Sequence, residues 1–486
     1  MSQEILNLEP QAVWKYFFAL TQIPRPSQSE GRVVEFLKSF GEQLCLETLL
    51  DETGNVIIRK PATPGMEARK GVVLQGHVDM VPQKNSDTKH DFTSDPIDAY
   101  VEGKWVTARG TTLGSDNGMG VAAAMAVLES RTLRHGPLEA LFTVDEETGM
   151  TGAKGLHPDL LRGEILLNMD SEDEGELYIG CAGGIDTNIT FPYALDKVTD
   201  AFAAFEVSVK GLRGGHSGLD IHLGRGNACL IMSRLLKDSG HVFGLRLAAI
   251  DAGSLRNAIP REAFATVAVP LTEKEAFHEF VGNADARVKA LLQKSDPDVA
   301  IHCEETAMPA FCIDPEVQNR LFTAVLDCPN GVMAWDKKMP GVVVTSSSLA
   351  SIKSDGNQLN IECLTRSAVD ADRDTIAQDI AALFRNHNAR VEHEGAYPGW
   401  QPDVQSEIVA TMKQVYLETF GKTPEVKIIH AGLECGILGA IYPHWEMISF
   451  GPTIRHPHSP DEKVNIETVG RFWNFLVATL EQVPGE

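Results

Sequence analysis

The sequence has neither a long apolar run nor a paired-cysteine motif. None of its apolar stretches reaches the roughly 18–20 residues of a membrane span, so we expect no membrane association. Its 8 cysteines are scattered and form no Cys-x-x-Cys pair, which favours reduced thiols over a disulfide framework or a cysteine metal site. The first residues lack a basic segment followed by an apolar one, so we expect no secretory signal and a cytoplasmic location.

Positive charge is also scarce. The chain has 43 Lys and Arg against 67 Asp and Glu, a formal net charge of −24. Nucleic-acid-binding proteins usually present a basic face, and anionic membrane surfaces attract basic segments. We therefore expect neither nucleic acid nor a membrane as a partner.

Acidic and imidazole side chains follow strand-like apolar runs in five places. They are His77 and Asp79 in VVLQGHVDM, Asp116 in GTTLGSDNG, Glu146 and Glu147 in ALFTVDEETG, Asp170 in ILLNMDSE, and His458 in RHPHSPDE. Ligands of open α/β sheets collect at the carboxyl ends of the strands, so we expect these residues to form one site. Two histidines and several carboxylates suit a pair of divalent metal ions and hydrolytic chemistry.

The spacing within these motifs suggests separate tasks. His77 and Asp79 are two apart in an extended segment and share a face, so Asp79 can orient the ring of a metal-bound His77. Asp116 lies in a glycine-rich loop, where its two oxygens can bridge two cations. An N-cap is the ordinary role of Asp at such a place, and both roles can hold at once.

The acidic runs leave alternatives open. Glu146 and Glu147 are adjacent and their side chains diverge, so one would bind metal and the other would take a proton from water. A solvated acidic turn is the alternative for this pair and for Asp170. We prefer Asp170 to Glu172 and Asp173 because it is the first residue of its run, at the strand tip.

Two histidine motifs also have alternative interpretations. His456 and His458 flank Pro457, so only one of them need point into a site. His216, in RGGHSG, lies outside the metal-binding segments. It could stabilise an oxyanion or be an ordinary turn histidine.

The 486 residues exceed the usual size of one domain, so we expect at least two. Strand-like and helix-like runs alternate up to about residue 186, which predicts an α/β fold. We expect a mixed, mostly parallel sheet with helices on both faces. After residue 186, strict alternation of apolar and polar residues, together with glycine-rich turns, indicates antiparallel strands. The α/β pattern returns near the end of the sequence. The prediction is a discontinuous catalytic domain, 1–186 plus 396–486, interrupted by an α+β lid domain, 187–395.

Together the motifs resemble the clan of co-catalytic zinc aminopeptidases and carboxypeptidases, which also contains glutamate carboxypeptidases and aminoacylases. Within it, further segments look like those of bacterial aminoacyl-histidine dipeptidases, and this resemblance spans nearly the whole chain. These segments are KPATPGMEARKGVVLQGHVDMVPQKN, GCAGGID, LRNAIPREAFAT, GAYPGWQPD and HAGLECG.

The resemblance implies roles for the metal-site residues. His77 and Asp170 would bind one zinc ion, Glu147 and His458 the other, and Asp116 would bridge both ions. Relatives also have a cis peptide after the bridging residue, here Asp116–Asn117. Mn or Co would suit the same ligands as Zn.

The resemblance also implies roles for the remaining site residues. Glu146 would be the general base, Asp79 would orient His77, and His216 would polarise the scissile carbonyl. Asn257 in LRNAIP and Arg366 in CLTRS would hold the carboxylate end of the substrate. Relatives often pair through the lid, so a homodimer through this domain is one alternative and a monomer the other. His216 could accordingly act in its own chain or in the partner subunit.

The predicted function is metal-dependent hydrolysis of dipeptides with free amino and carboxyl ends, including Xaa-His dipeptides. One alternative is an N-acyl amino acid deacylase or a tripeptidase on the same scaffold. Another is a metal-binding protein that has lost catalysis, but such a protein should lack the base or a ligand. No base or ligand is missing from this sequence.

Overall fold

A computed structural model describes residues 3–337 and 339–485 of the chain. Within these residues the chain forms eleven α-helices: α1 (Gln11–Thr21), α2 (Gly31–Gln43), α3 (Ser115–Glu129), α4 (Thr151–Gly155), α5 (Ala228–Phe243), α6 (Lys274–Leu292), α7 (Pro315–Asp327), α8 (Asp370–Asn386), α9 (Glu407–Phe420), α10 (Glu434–Ile441) and α11 (Ile466–Gln482). Short 3-10 helices cover Gln3–Asn7, Ile221–Leu223 and Leu271–Glu273.

The same residues contain twenty-three strands: β1 (Glu47–Leu50), β2 (Val56–Lys60), β3 (Val72–His77), β4 (Ala99–Glu102), β5 (Trp105–Ala108), β6 (Leu138–Thr143), β7 (Ile165–Asn168), β8 (Glu176–Cys181), β9 (Gly183–Pro192), β10 (Leu195–Lys197), β11 (Phe202–Lys210), β12 (Arg246–Ala252), β13 (Ala263–Pro270), β14 (Ala300–Glu305), β15 (Phe311–Ile313), β16 (Gly331–Trp335), β17 (Val343–Asp355), β18 (Gln358–Ser367), β19 (Arg390–Tyr397), β20 (Glu425–Ile429), β21 (Glu446–Ser449), β22 (Ile454–Arg455) and β23 (Lys463–Asn465).

The chain forms two compact units. The first contains the residues up to Cys181, Trp400–Ile428 and the residues from Leu433 onward. The second contains Ala182–Gly399 and Ile429–Gly432. The sequence gives no indication that Ile429–Gly432 returns to the second unit.

The first unit is built on an eight-stranded mixed sheet in the order β1-β2-β6-β3-β7-β21-β8-β20. Its four central strands, β6, β3, β7 and β21, are parallel to one another, whereas the pairs β1-β2, β2-β6 and β21-β8 are antiparallel. Every residue of β3, β6 and β7 is buried. Alternate side chains point to opposite faces of a strand, so both faces of the sheet are covered. The predicted mixed α/β fold is confirmed.

Helices complete the core of the first unit. α3 is rich in small apolar residues, is buried almost throughout, and packs on α1 and β3, as expected of a helix that is apolar on all sides. α9 packs on α11 and β21. Phe450, just after β21, lies 5.3 Å from Phe472 and 5.4 Å from Phe475 of α11, measured between ring centroids. A separate four-stranded sheet, β22-β23-β5-β4, supports the loop between β22 and β23 that carries His458.

The second unit is an antiparallel sheet with helices and its own core, as predicted for an α+β segment. Its main sheet runs β14-β11-β13-β12-β17-β18-β9-β19, and β16 pairs with the first half of β17. α5 to α8 pack against this sheet and against one another. Phe205 of β11 and Phe277 of α6 lie 5.3 Å apart between ring centroids. None of the helices in the described residues is both long and apolar enough to cross a membrane.

Candidate active site

The carboxyl ends of three neighbouring parallel strands carry most of the candidate ligands. β3 lies between β6 and β7. His77 is the last residue of β3, Glu146 and Glu147 follow β6, and Asp170 follows β7. Parallel strands end at the same edge of a sheet, which is why residues far apart in the sequence meet here.

Five of these residues form two groups that share Asp116, and His77, Glu146 and Glu147 form a third group. His77 Nε2 lies 3.1 Å from Asp116 Oδ1 and 3.3 Å from Asp170 Oδ1. His458 Nε2 lies 3.1 Å from Asp116 Oδ2 and 3.0 Å from Glu147 Oε2. Within each group the possible ligand atoms lie within 4.8 Å of one another. Asp116 therefore presents one oxygen to each of the two groups that share it, which is the arrangement of a bridging carboxylate.

The residues present fit a pair of divalent cations. Imidazole nitrogens and carboxylate oxygens are suitable ligands for Zn, Mn and Co. Glu147 Oε1 is buried and has no hydrogen-bond partner among the described residues. A buried carboxylate oxygen without a partner is unfavourable unless a cation compensates it. The exposed His456 belongs to none of these groups.

The local electrostatics show an excess of negative charge. Burial raises the pKa of Asp170 to about 6, and the charges of Asp116 and Glu147 add to this effect. Burial, together with the nearby carboxylates, also raises the pKa of Glu146 well above its ordinary value. Hydrogen bonds to Asp116 and Glu147 raise the pKa of His458 to about 11. Divalent cations would balance this negative charge.

Asp79 connects His77 to the acidic turn. Its carboxylate is fully buried, and Oδ1 lies 3.4 Å from His77 Nδ1. The same carboxylate accepts the backbone N–H groups of Glu146 and Glu147 at 3.1 and 3.2 Å and the Ser27 hydroxyl at 2.8 Å. The sequence predicts the contact of Asp79 with His77. It does not predict the contacts of Asp79 with Glu146 and Glu147, because these residues follow a different strand, β6.

The Asp116 loop has two further features. The Asp116–Asn117 peptide is cis, as the resemblance implies. The buried side chains of Arg25 and Glu462 contact the loop backbone. Neither residue is predicted from the sequence. Glu462 is the last residue of the segment RHPHSPDE, but this segment does not identify its backbone partners.

In the second unit, His216 has a defined tautomer. Its Nδ1 accepts the backbone N–H groups of Gly218 and Leu219 at 3.1 and 3.0 Å, so the ring proton is on Nε2. Burial lowers the pKa of His216 to about 4, and the charge of Arg366 acts in the same direction. The ring is therefore neutral near pH 7 and can donate a hydrogen bond from Nε2.

The other predicted residues of the second unit lie in two places. Arg366 is buried in β18 and donates from Nη1 to the Tyr397 hydroxyl at 2.8 Å. Asn257 is exposed, and its backbone carbonyl accepts the N–H of Ser217 at 2.8 Å, next to His216. His430, which is not predicted from the sequence, contacts the Ser346 hydroxyl at 2.7 Å through Nε2. Its only sequence signal is its place in HAGLECG.

A mixed α/β unit whose strand ends gather two potential ligand groups around one carboxylate is typical of a metal-dependent hydrolase. Residues 73–482 match the model of peptidase family M20/M25/M40, and the chain belongs to this family. It is thus a peptide hydrolase. Family membership and the candidate ligand groups also support the use of divalent metal ions. The resemblance drawn from the motifs is confirmed.

Known relatives match the chain over its full length. It is 43% identical over 483 residues to the cytosol non-specific dipeptidase of Escherichia coli K12, covering 99% of this chain and 100% of that protein. The crystal structure of aminoacylhistidine dipeptidase from Vibrio alginolyticus superimposes with a TM-score of 0.90 at 47% identity, covering 100% and 99% of the two chains. A tripeptidase from Staphylococcus aureus, with a TM-score of 0.60 and 15% identity over 98% and 99%, shares the fold alone.

Proposed function

We propose that this chain is a metal-dependent dipeptidase that hydrolyses dipeptides with free amino and carboxyl ends, including Xaa-His dipeptides. The observation that carries the proposal is the pair of ligand groups that share Asp116, with Glu146 beside them. The full-length relatives support the substrate class, because one is named a dipeptidase and the other an aminoacylhistidine dipeptidase.

In this proposal the strand ends would hold two zinc ions. His77 and Asp170 would hold one ion, Glu147 and His458 would hold the other, and Asp116 would be a shared ligand. Asp79 orients the His77 ring. Bound divalent ions supply two effects, a lower pKa of water and polarisation of a carbonyl oxygen.

Glu146 is proposed as the general base. Its carboxylate lies with His77 and Glu147 in one group of potential ligand atoms, so it is close to the reaction site. Burial raises its pKa well above the ordinary value of a glutamate, and a higher pKa makes a carboxylate a stronger proton acceptor. Glu146 accepts the proton of the attacking water and later delivers it to the leaving amine.

Residues of the second unit would contact two parts of the substrate, the scissile carbonyl and the terminal carboxylate. We propose that the Nε2–H of His216 stabilises the developing oxyanion. Arg366 and Asn257 would hold the substrate carboxylate. Arg366 supports this role because it is buried and forms no salt bridge with any carboxylate of the described residues. On this basis we propose that the first unit is the catalytic domain and the second the lid. The division predicted from the sequence, 1–186 plus 396–486 and 187–395, differs from these units at residues 182–186, 396–399 and 429–432, which lie in the second unit.

We further propose a cytosolic homodimer that pairs through the second unit. The cytosolic location follows the name of the E. coli relative. Exposed apolar side chains support a contact surface on β16 and on the short helix packed against it. They are Leu223, Met333 and Trp335, with 45%, 37% and 49% of their surface exposed.

The release of histidine from Ala-His and from N-acetyl-Ala-His by zinc-loaded protein tests the function. We expect cleavage of the free dipeptide only, because the enzyme should require a free amine. Cleavage of both compounds, or of the acetylated one alone, would favour the deacylase alternative. Cleavage of Ala-Ala-His in preference to Ala-His would favour the tripeptidase.

A further inference from the structure

Two buried residues of opposite charge hold the loop that carries Asp116, and neither belongs to the ligand groups. Glu462 and Arg25 are each only 2% exposed. Burial of a charged side chain is costly unless it is fully hydrogen-bonded or paired. Hydrogen bonds compensate the two buried charges, and these bonds show which loops the residues join.

Glu462 binds the backbone of four successive residues. Its Oε2 accepts the N–H groups of Leu113 and Gly114 at 2.8 and 3.0 Å. Its Oε1 accepts the N–H groups of Ser115 and Asp116 at 2.7 and 3.3 Å and the Ser115 hydroxyl at 2.6 Å. Glu462 follows His458 by four residues in the same loop. One carboxylate thus ties the His458 loop to the Asp116 loop.

Arg25 binds the other side of the same loop. Its Nη2 donates to the Gly114 carbonyl at 2.5 Å, and its Nη1 donates to the carbonyls of Val78 and Asp79 at 2.8 and 3.0 Å. Val78 directly follows His77. Gly114 has φ +72°, and a Cβ there would lie 2.6 Å from Arg25 Nη2, so this position requires glycine. Arg25 therefore ties the His77 loop to the Asp116 loop.

We propose that Glu462 and Arg25 are positioning residues that set the distances from Asp116 to His77 and to His458 before metal binds. The inference rests on the proposed metal site. Without these contacts, three separate loops would have to become ordered when the ions bind, and this ordering would reduce metal affinity. Neither residue touches an ion or the substrate in this role.

The test is the zinc affinity of the Glu462→Gln variant. Both oxygens of Glu462 act only as acceptors, so either orientation of the amide places its NH₂ group against backbone N–H donors. We expect zinc to bind about 10- to 100-fold more weakly, measured on zinc-free protein by competition with a chromophoric chelator. Hydrolysis of Ala-His should return towards the wild-type rate at high zinc concentration.

Glu139→Gln is the matched control. Glu139 is also buried and accepts two backbone N–H groups, those of Arg162 and Gly163 at 2.7 and 2.9 Å, but it belongs to neither ligand group. We expect its zinc affinity to equal that of the wild type. Arg25→Lys is measured in parallel, because one ammonium group cannot reproduce the guanidinium contacts with three carbonyls.

The outcomes separate this inference from the proposed function. Weaker zinc binding in Glu462→Gln and Arg25→Lys, with Glu139→Gln unchanged, supports the positioning role. If Glu462→Gln does not fold, Arg25→Lys alone decides the result. Wild-type zinc affinity in every folded variant of the pair overturns the inference and leaves the proposed function standing. A wild-type protein that binds no zinc contradicts both.

Discussion

At the scale of single residues, adjacent glutamates have different surroundings. Burial raises the pKa of both side chains, but Glu147 Oε2 also lies 3.0 Å from His458 Nε2. Asp79 accepts the N–H groups of both residues and so fixes the turn between them. One fixed turn can therefore supply a metal ligand and a proton acceptor from neighbouring positions.

Glu146→Gln tests this separation. The amide keeps the size of the side chain but cannot accept the proton of water. We expect the variant to retain its zinc, measured by elemental analysis, and to hydrolyse Ala-His about 10²- to 10⁴-fold more slowly. The zinc-loaded Glu139→Gln protein serves as the control for folding. Turnover near the wild-type rate in Glu146→Gln would remove the general-base assignment.

Single residues also show what a sequence can reveal about a site. His77 and Asp170 were predictable because their side-chain types are informative and each stands at the end of an apolar run. Arg25 and Glu462 were not, because their partners are main-chain groups of remote loops. Main-chain groups look alike at every position, so no local pattern marks such contacts. The site residues that could be predicted are therefore those with a chemically distinctive side chain at a strand end.

At the scale of elements, the conformation of the turn after β11 depends on the close approach of Gly218 to the backbone of His430. A Cβ at Gly218 would lie 2.0 Å from the carbonyl oxygen of His430, so only glycine fits there without displacement. The N–H of Gly218 also donates to His216 Nδ1 at 3.1 Å. Packing of this turn on the segment Ile429–Gly432 therefore helps to fix the orientation of the His216 ring.

Gly218→Ala should displace the turn and with it the His216 ring. We expect kcat for Ala-His to fall by up to about 10²-fold, because a shift of about 1 Å in a positioned group can have that effect. Zinc content should not change. In the control Gly282→Ala, the added Cβ has no atom within 4 Å, so kcat should match that of the wild type. An unchanged kcat in Gly218→Ala would argue against the proposed role of His216.

Elements differ in how well the sequence predicts them. The buried strands β3, β6 and β7 were predictable because each is a short apolar run between turn residues. The strand order of the second unit was not, because β17 pairs with three strands: with β18 along most of its length, with β16 in its first half and with β12 near its end. Such pairings join segments far apart in the sequence, and alternation along one strand does not identify its neighbours.

At the scale of the whole molecule, one edge of β16 pairs with no strand of the described residues. β16 pairs with β17, and no other strand within residues 3–337 and 339–485 pairs with it. Met333 and Trp335 on this strand and Leu223 on the adjoining short helix are exposed. An open strand edge beside apolar side chains is a common site of association between chains. This surface is our candidate for the dimer contact.

Trp335→Glu should therefore weaken the proposed dimer. A tryptophan that anchors an interface typically contributes about 2 kcal/mol or more, and a symmetric dimer carries the change in both chains, so the dissociation constant should rise by at least roughly 30-fold. Sedimentation over a range of concentrations measures this shift. Leu291→Glu is the control, because Leu291 lies on α6 and is 82% exposed. A monomeric wild type, or a dimer that Trp335→Glu leaves intact, would exclude β16 as the contact. A shift with Trp335→Glu and none with Leu291→Glu would instead place the two-fold axis of the dimer at this edge, because a symmetric pair uses the same surface of both chains.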